Sequence, residues 1–286
     1  MEIKLATHYG FCFGVKKALE IAKNVVKNYP NDKIFMLNKI VHNQSVVDEL
    51  TSLGIITLDD SRSLEEKILS LDEGVIIFSA HGHDKSLDQL AKSKNLTVVD
   101  ATCQRVIYNE KSILDALNNN KKVIYIGIPN HPETISALSL SNKIIFIDFK
   151  NPTYENIHTN DEISIHNQTT LIQSELDIIY ENIKNITSNV KIKNDICFAT
   201  SRRQEALKEV TDEDVIFIIG DKISSNSTRL YEVAKSLHPN KDVYQVSSLN
   251  DVKNIDLSQY KKAFVSAGTS APSEVINPII DYLSSY

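Results

Sequence analysis

Short apolar, β-rich runs alternate with amphipathic stretches along the whole chain. EIKLAT is followed by GVKKALEIAKNVV, and LTVVDAT by RVIYNEKSILDAL. In the second member of each pair the apolar residues recur at helical spacing. The runs VIIFSA, KVIYIG, EISIHN, VIFIIG and AFVSAG each lead into polar residues. Strands alternating with helices predict an α/β fold with parallel sheets, whose working residues gather at the carboxyl ends of the strands. The pattern also repeats in thirds. Three domains are expected, over 14–96, 97–193 and 194–286, with residues 1–13 supplying an added strand to the last. KSLDQLAKSKN and TSNVKIKN mark the boundaries.

The cysteines carry the clearest sign of that repeat. Cys12, Cys103 and Cys197 lie about a third of the chain apart, and each sits where a strand gives way to a helix. Helix N-terminal amides favour a thiolate there. An odd number of cysteines argues against a disulfide framework. A structural zinc site wants four ligands, often in CxxC pairs, and this chain has neither pairs nor a fourth cysteine. Three distant thiolates suit an iron–sulfur cluster that keeps one iron open, since the usual complement is four.

Two further polar points follow each cysteine, each after an apolar run. They are His42 and His81 in the first third, His131 and Thr169 in the second, and Ser224 and Ser270 in the third. Taken singly, such residues are helix caps or turn formers. Around a pseudo-threefold axis they would face one central cavity. His42, His81, Ser224, Ser225, Asn226 and Ser270 then form a cradle of small neutral donors for an oxyanion, helped by helix N-termini. No GxxxxGK[ST] and no GxGxxG is present, so a nucleotide is not indicated. His131-Pro132-Glu133 reads as a helix start with Pro at its first position. It also places a carboxyl where burial would keep it protonated until a proton is needed, with Thr169 in reach of that acid or of the substrate.

Composition narrows the classes of function. The 286 residues carry 31 Lys and Arg against 37 Asp and Glu, a net charge of −6. Nucleic-acid binding wants a basic face, so nucleic acid is not an expected partner. MEIKLATHYG does not read as a secretory signal, and no apolar run is long enough to span a bilayer. The expected compartment is the cytoplasm, with no membrane partner.

The motifs, taken in order, resemble those of the 4-hydroxy-3-methylbut-2-enyl diphosphate reductase family (IspH, also LytB). They are GFCFGVKKAL around Cys12, VHN at His42, SAHG at His81, DATC at Cys103, HPE at 131–133, QTTL at 168–171, DICFAT with RRQEA around Cys197, SSNS at 224–227 and AGTSAPS at 267–273. The resemblance implies a trefoil of three α/β/α domains around a central [4Fe–4S] cluster with one open iron site. It implies reductive removal of an allylic hydroxyl, with two electrons and two protons consumed. The products would be isopentenyl and dimethylallyl diphosphate, in the last step of the methylerythritol phosphate route. Carried over, Cys12, Cys103 and Cys197 ligate iron. His42, His81, Ser224, Ser225, Asn226 and Ser270 hold the diphosphate. Glu133 delivers protons, and Thr169 and His131 support it at the substrate. Ferredoxin or flavodoxin would be the electron donor.

The middle third departs from the family pattern. Gln104 stands where Pro is usual and Asn130 where Gly is usual. A His expected beyond Cys103 is missing from VIYNEKS, and glycines expected after HPE are missing from TISALS. Two other readings fit the three cysteines: a different trefoil enzyme, such as quinolinate synthase or the diphthamide synthase subunits, and a non-catalytic iron–sulfur sensor or electron carrier. The first lacks the HPE, QTTL and SSNS set. The second predicts a coloured protein indifferent to allylic diphosphates.

Overall fold

The computed structural model describes residues 1–286. The chain begins with β1 (Glu2–Leu5) and α1 (Phe13–Asn28). It continues through β2 (Ile34–Met36), α2 (Gln44–Ser52), β3 (Ile55–Thr57), α3 (Leu64–Leu69), β4 (Val75–Phe78), α4 (Ser86–Ser93) and β5 (Thr97–Asp100). Then come α5 (Gln104–Asn118), β6 (Lys122–Gly127), α6 (Pro132–Ser139), β7 (Ile145–Asp148), β8 (Ile163–Asn167), α7 (Gln173–Ile186) and β9 (Val190–Ile192). The last stretch holds α8 (Phe198–Ala206), β10 (Val215–Ile219), α9 (Ser225–Leu237), β11 (Asp242–Val246), α10 (Leu249–Lys253), β12 (Lys262–Ala267) and α11 (Ser273–Ser285).

The strands form three four-stranded sheets, ordered β3-β2-β4-β5, β7-β6-β8-β9 and β11-β10-β12-β1. Every pairing is parallel. Within each sheet the same order recurs: second strand, first, third, fourth. In the last sheet the fourth place is filled by β1, with Glu2 opposite Lys262 and Leu5 opposite Val265. The strand β5, which the division of the sequence puts at the head of the middle stretch, is the outer strand of the first sheet beside β4.

Contacts divide the chain into two units, one of residues 1–16, 41–49 and 197–286 and one of 17–40 and 50–196. The first holds the sheet that ends in β1. Its central strand VIFII is buried at every residue, as befits a parallel strand covered on both faces. Val215, Phe217 and Ile219 pack with Ile276, Ile279 and Leu283 of α11, whereas Ile216 and Ile218 pack with Leu207, Leu230 and Ala234. The second unit holds the other two sheets. Phe35, Ile76 and Phe78 meet Ile68 of α3 and Ala91 of α4 in one core. Val123 and Tyr125 meet Ile113 of α5 and Ala137 of α6 in another.

The shared strand order matters for function. In an open parallel sheet wound this way, neighbouring first and third strands send their connections to opposite faces. That leaves a crevice beyond their carboxyl ends, where ligands bind.

Candidate functional site

Every polar point read from the sequence follows a first or third strand. His42 follows β2 and His81 follows β4. His131 and Glu133 follow β6, Thr169 follows β8, Ser224 follows β10 and Ser270 follows β12. Each cysteine instead follows a fourth strand: Cys12 after β1, Cys103 after β5 and Cys197 after β9.

In the second unit the crevice between β6 and β8 holds a buried acid. His131 is the N-cap of α6, and its Nδ1 accepts the Glu133 N–H at 3.2 Å. Pro132 at the first helical position has no N–H to satisfy there. Glu133, only 4 % exposed, is turned inward. Its Oε2 accepts the Thr169 N–H at 2.8 Å and its Oε1 accepts the Thr169 hydroxyl at 2.9 Å. Burial raises the carboxyl from 4.5 to about 7 against the opposing pull of the two Thr169 bonds, and the nearby Glu110 adds to the rise. Burial thus favours the protonated acid well above the ordinary carboxylate range. The His81 ring lies 5.9 Å from that of His131, edge to face. Cys103 caps α5, and its own N–H donates to the carbonyl of Ala80, next to His81.

Two departures from the family pattern have local explanations. Asn130 has φ +61°, a left-handed backbone that Asn tolerates better than other non-glycine residues. Gln104 occupies the first position of α5, where Pro is favoured but not required. The other two departing segments touch. Ser136 of TISALS donates its hydroxyl to Glu110 of VIYNEKS, and Lys85 pairs with the same carboxylate at 3.2 Å.

The first unit carries Cys12, Cys197, His42 and the serine cradle. Ser224 is the N-cap of α9, its Oγ accepting the Ser227 N–H at 3.5 Å. Ser270 donates its hydroxyl to Ser224 Oγ at 3.2 Å. Asn226 accepts the Thr269 N–H at 2.9 Å and donates to Thr200 Oγ at 3.1 Å, so its amide orientation is fixed from both ends. Ser225 is half-buried beside it. This helix start presses on the strand ends. A Cβ at Gly220 or Gly268 would come within 2.2 or 2.1 Å of Ser227 Oγ, so only glycine fits at either place. His42 lies in the turn that enters α2, and the neighbouring Asn43 side chain accepts the Val46 N–H at 3.2 Å.

The three cysteines are half-buried and none is in a disulfide. Cys12 Sγ accepts the Val15 N–H at 3.5 Å in the first turn of α1. Cys197 is the N-cap of α8, and its carbonyl accepts the N–H groups of Thr200 and Ser201. No group of three or more His, Cys, Asp or Glu side chains is set closely enough to hold a single metal ion. Soft single thiolates at helix starts are donors suited to an iron–sulfur cluster, which several sulfurs share across more than one iron.

Arg203 of α8 was not singled out by the sequence. It is buried at 6 % exposure and donates to the carbonyls of Gly10 and Ala199. Burial pulls its guanidinium below the ordinary value, and the sulfurs of Cys12 and Cys197 oppose that pull. A signal was available: Thr200, Arg203 and Ala206 recur at helical spacing and are all buried, whereas the adjacent Arg202 is exposed over the Phe198 ring.

The family model described as "LytB protein" matches residues 3–284. The chain belongs to the LytB family. Relatives named 4-hydroxy-3-methylbut-2-enyl diphosphate reductase match this LytB chain from end to end. The one from Symbiobacterium thermophilum is 34% identical over 100% of this chain and 98% of that protein. The one from Anoxybacillus flavithermus is 35% identical over 100% and 91%. A solved (E)-4-hydroxy-3-methyl-but-2-enyl diphosphate reductase, described as the terminal enzyme of the non-mevalonate pathway, superposes with TM-score 0.70 at 30% identity, over 100% of this chain and 99% of that one. The Plasmodium falciparum reductase superposes with TM-score 0.85 at 24% identity over 99% and 88%, which shows the shared α/β fold. No helix is long and apolar enough to cross a membrane.

Proposed function

We infer that this LytB-family chain reduces 4-hydroxy-3-methylbut-2-enyl diphosphate to isopentenyl and dimethylallyl diphosphate. The allylic C–O bond breaks, two electrons and two protons enter, and water leaves. The observation that carries the reading is the buried Glu133 carboxyl, poised near neutrality between His131 and Thr169 at the carboxyl ends of β6 and β8. A reductase of this kind needs a proton source shielded from bulk water, and a carboxyl with a pKa of about 7 is well matched to that work.

Cys12, Cys103 and Cys197 are the residues that would hold a [4Fe–4S] cluster with one iron left open. When bound, the cluster supplies the electrons and a Lewis-acidic iron for the hydroxyl oxygen. The rest falls to the protein's own groups. Ser224, Ser225, Asn226 and Ser270 offer donors at the start of α9, where free amides and the helix dipole favour phosphate oxygens. His42 and His81 contribute two further donors to the diphosphate. Holding that end firmly limits where the hydroxymethyl end can go, which lowers the entropic part of the barrier. Thr169 and His131 keep Glu133 pointed at the substrate, and Glu133 gives up its proton there.

Ferredoxin or flavodoxin serves as electron donor in this reading, the cytoplasm is the compartment, and the chain is divided into three domains. Anaerobic turnover of the diphosphate with a chemical reductant tests the reading. Release of both products with iron near four per chain is expected. A pure, iron-loaded protein that leaves the substrate intact overturns it.

A further inference from the structure

Arg203 is a buried cation with no carboxylate to balance it. Its two hydrogen bonds go to neutral carbonyls: one to Ala199 at 2.7 Å in the first turn of α8, one to Gly10 in the loop before α1. Its Nε is buried without a hydrogen-bond partner. Buried charges are ordinarily paired, because an uncompensated ion loses its hydration on burial. The groups that favour the charged guanidinium here are the sulfurs of Cys12 and Cys197. Gly10 lies two residues before Cys12, and Ala199 two residues after Cys197. One planar guanidinium therefore ties together the two segments that present these thiols. Gly10 itself has φ +70°, and its N–H donates to the Ala267 carbonyl at 3.1 Å, so its backbone is held from the other side too.

We propose that Arg203 is a positioning residue for the iron–sulfur centre: it clamps the Cys12 loop to the start of α8 and supplies the buried positive charge that faces an anionic metal–thiolate group. The inference rests on the cluster reading above and adds to it a residue that touches neither iron nor substrate. Three thiolates on a cluster leave it net negative, and more so after reduction. A fixed cation nearby favours the reduced form, so its loss must lower the reduction potential. A merely structural arginine would leave the potential of whatever cluster is bound unchanged.

The test compares R203M and R203K with the wild-type chain after anaerobic reconstitution with iron and sulfide. Three readouts are taken: iron per chain, the rate of cluster release to a chelator, and the midpoint potential from a spectroscopic redox titration. R203M is expected to show a more negative potential and faster release. R203K is expected to keep the potential near wild type, because the charge stays, yet to release the cluster faster, because one amine cannot reproduce the planar fork. R203M matching wild type in both potential and release overturns the proposal. Should R203M fail to fold by circular dichroism, R203K decides: a wild-type release rate overturns the clamp, and faster release at an unchanged potential upholds it. Wild-type protein that takes up no iron would instead sink the cluster reading, a result separate from either variant outcome.

Discussion

Replacing Glu133 by Gln removes the proton while keeping the shape. The amide can still be accommodated: its oxygen accepts the Thr169 N–H, and its NH2 donates to the Thr169 hydroxyl, which rotates to accept. In the native site both Thr169 groups donate to the carboxylate, at 2.8 and 2.9 Å. Two magnitudes follow. The first concerns stability. The carboxyl sits at about 7 in the fold against an ordinary 4.5, a difference worth about 3 kcal/mol at ~1.4 kcal/mol per pH unit. Below pH 4.5 the group is neutral both folded and unfolded, so it has no effect. Between 4.5 and 7 the unfolded chain ionises first, and stability falls as pH rises. Above about 7 the full penalty is present. Glu133→Gln lacks this fall, so in urea melts the variant should gain about 3 kcal/mol on the wild type between pH 4.5 and 7.5. The second magnitude concerns rate. A lost general acid typically costs about 10²–10⁴-fold, and wild-type turnover should decline above pH 7 as the acid form is titrated away. The variant should be slow at every pH, without that alkaline limb. A variant that turns over at the wild-type rate, or that keeps the limb near 7, refutes the assignment of Glu133 as proton donor.

Other perturbations have defined outcomes. Thr169→Val keeps the backbone bond to Glu133 and loses the hydroxyl bond that lowers the carboxyl's pKa, so the alkaline limb of the turnover profile should move to higher pH. Asn226→Asp preserves the acceptor for Thr269 but sets a carboxylate in the diphosphate cradle; like charges within a few ångströms cost several kcal/mol at a partly screened site, so KM should rise more than tenfold with a smaller change in kcat. Gly268→Ala drives a methyl into Ser227 Oγ, an overpacking worth about 1–3 kcal/mol, and thermal melts should show the loss without any change in iron uptake. Changing any one of Cys12, Cys103 or Cys197 to Ser should abolish a stable cluster, read as iron per chain after anaerobic reconstitution.

The alternation of strands and helices was legible because parallel strands are apolar on both faces and announce themselves as short runs such as VIFII. The polar points were legible for a related reason. Chemistry collects after the first and third strands of each sheet, so His131 and Thr169, or Ser224 and Ser270, stand at matching places in the repeat. What the chain pattern conceals is which sheet a strand joins. β5 reads as the head of the middle third, yet it is hydrogen-bonded to β4; strand partners are set by hydrogen bonds that leave no local mark. Buried polar groups are equally hidden. Nothing in RRQEA separates Arg203 from Arg202 until helix phase is considered. The two segments that look like isolated departures, VIYNEKS and TISALS, are joined by the bond from Ser136 to Glu110, and only the packing of α5 against α6 reveals it.

The pairing of Glu2 with Lys262 has a consequence for the order of events during synthesis. β1 leaves the ribosome long before its neighbour β12 has been made, and closing so long a loop slows folding. Until then Cys12 hangs from an unanchored leader. A cluster held as proposed by Cys12, Cys103 and Cys197 would have to await β12, and a chain cut short before that strand would leave one sulfur out of place.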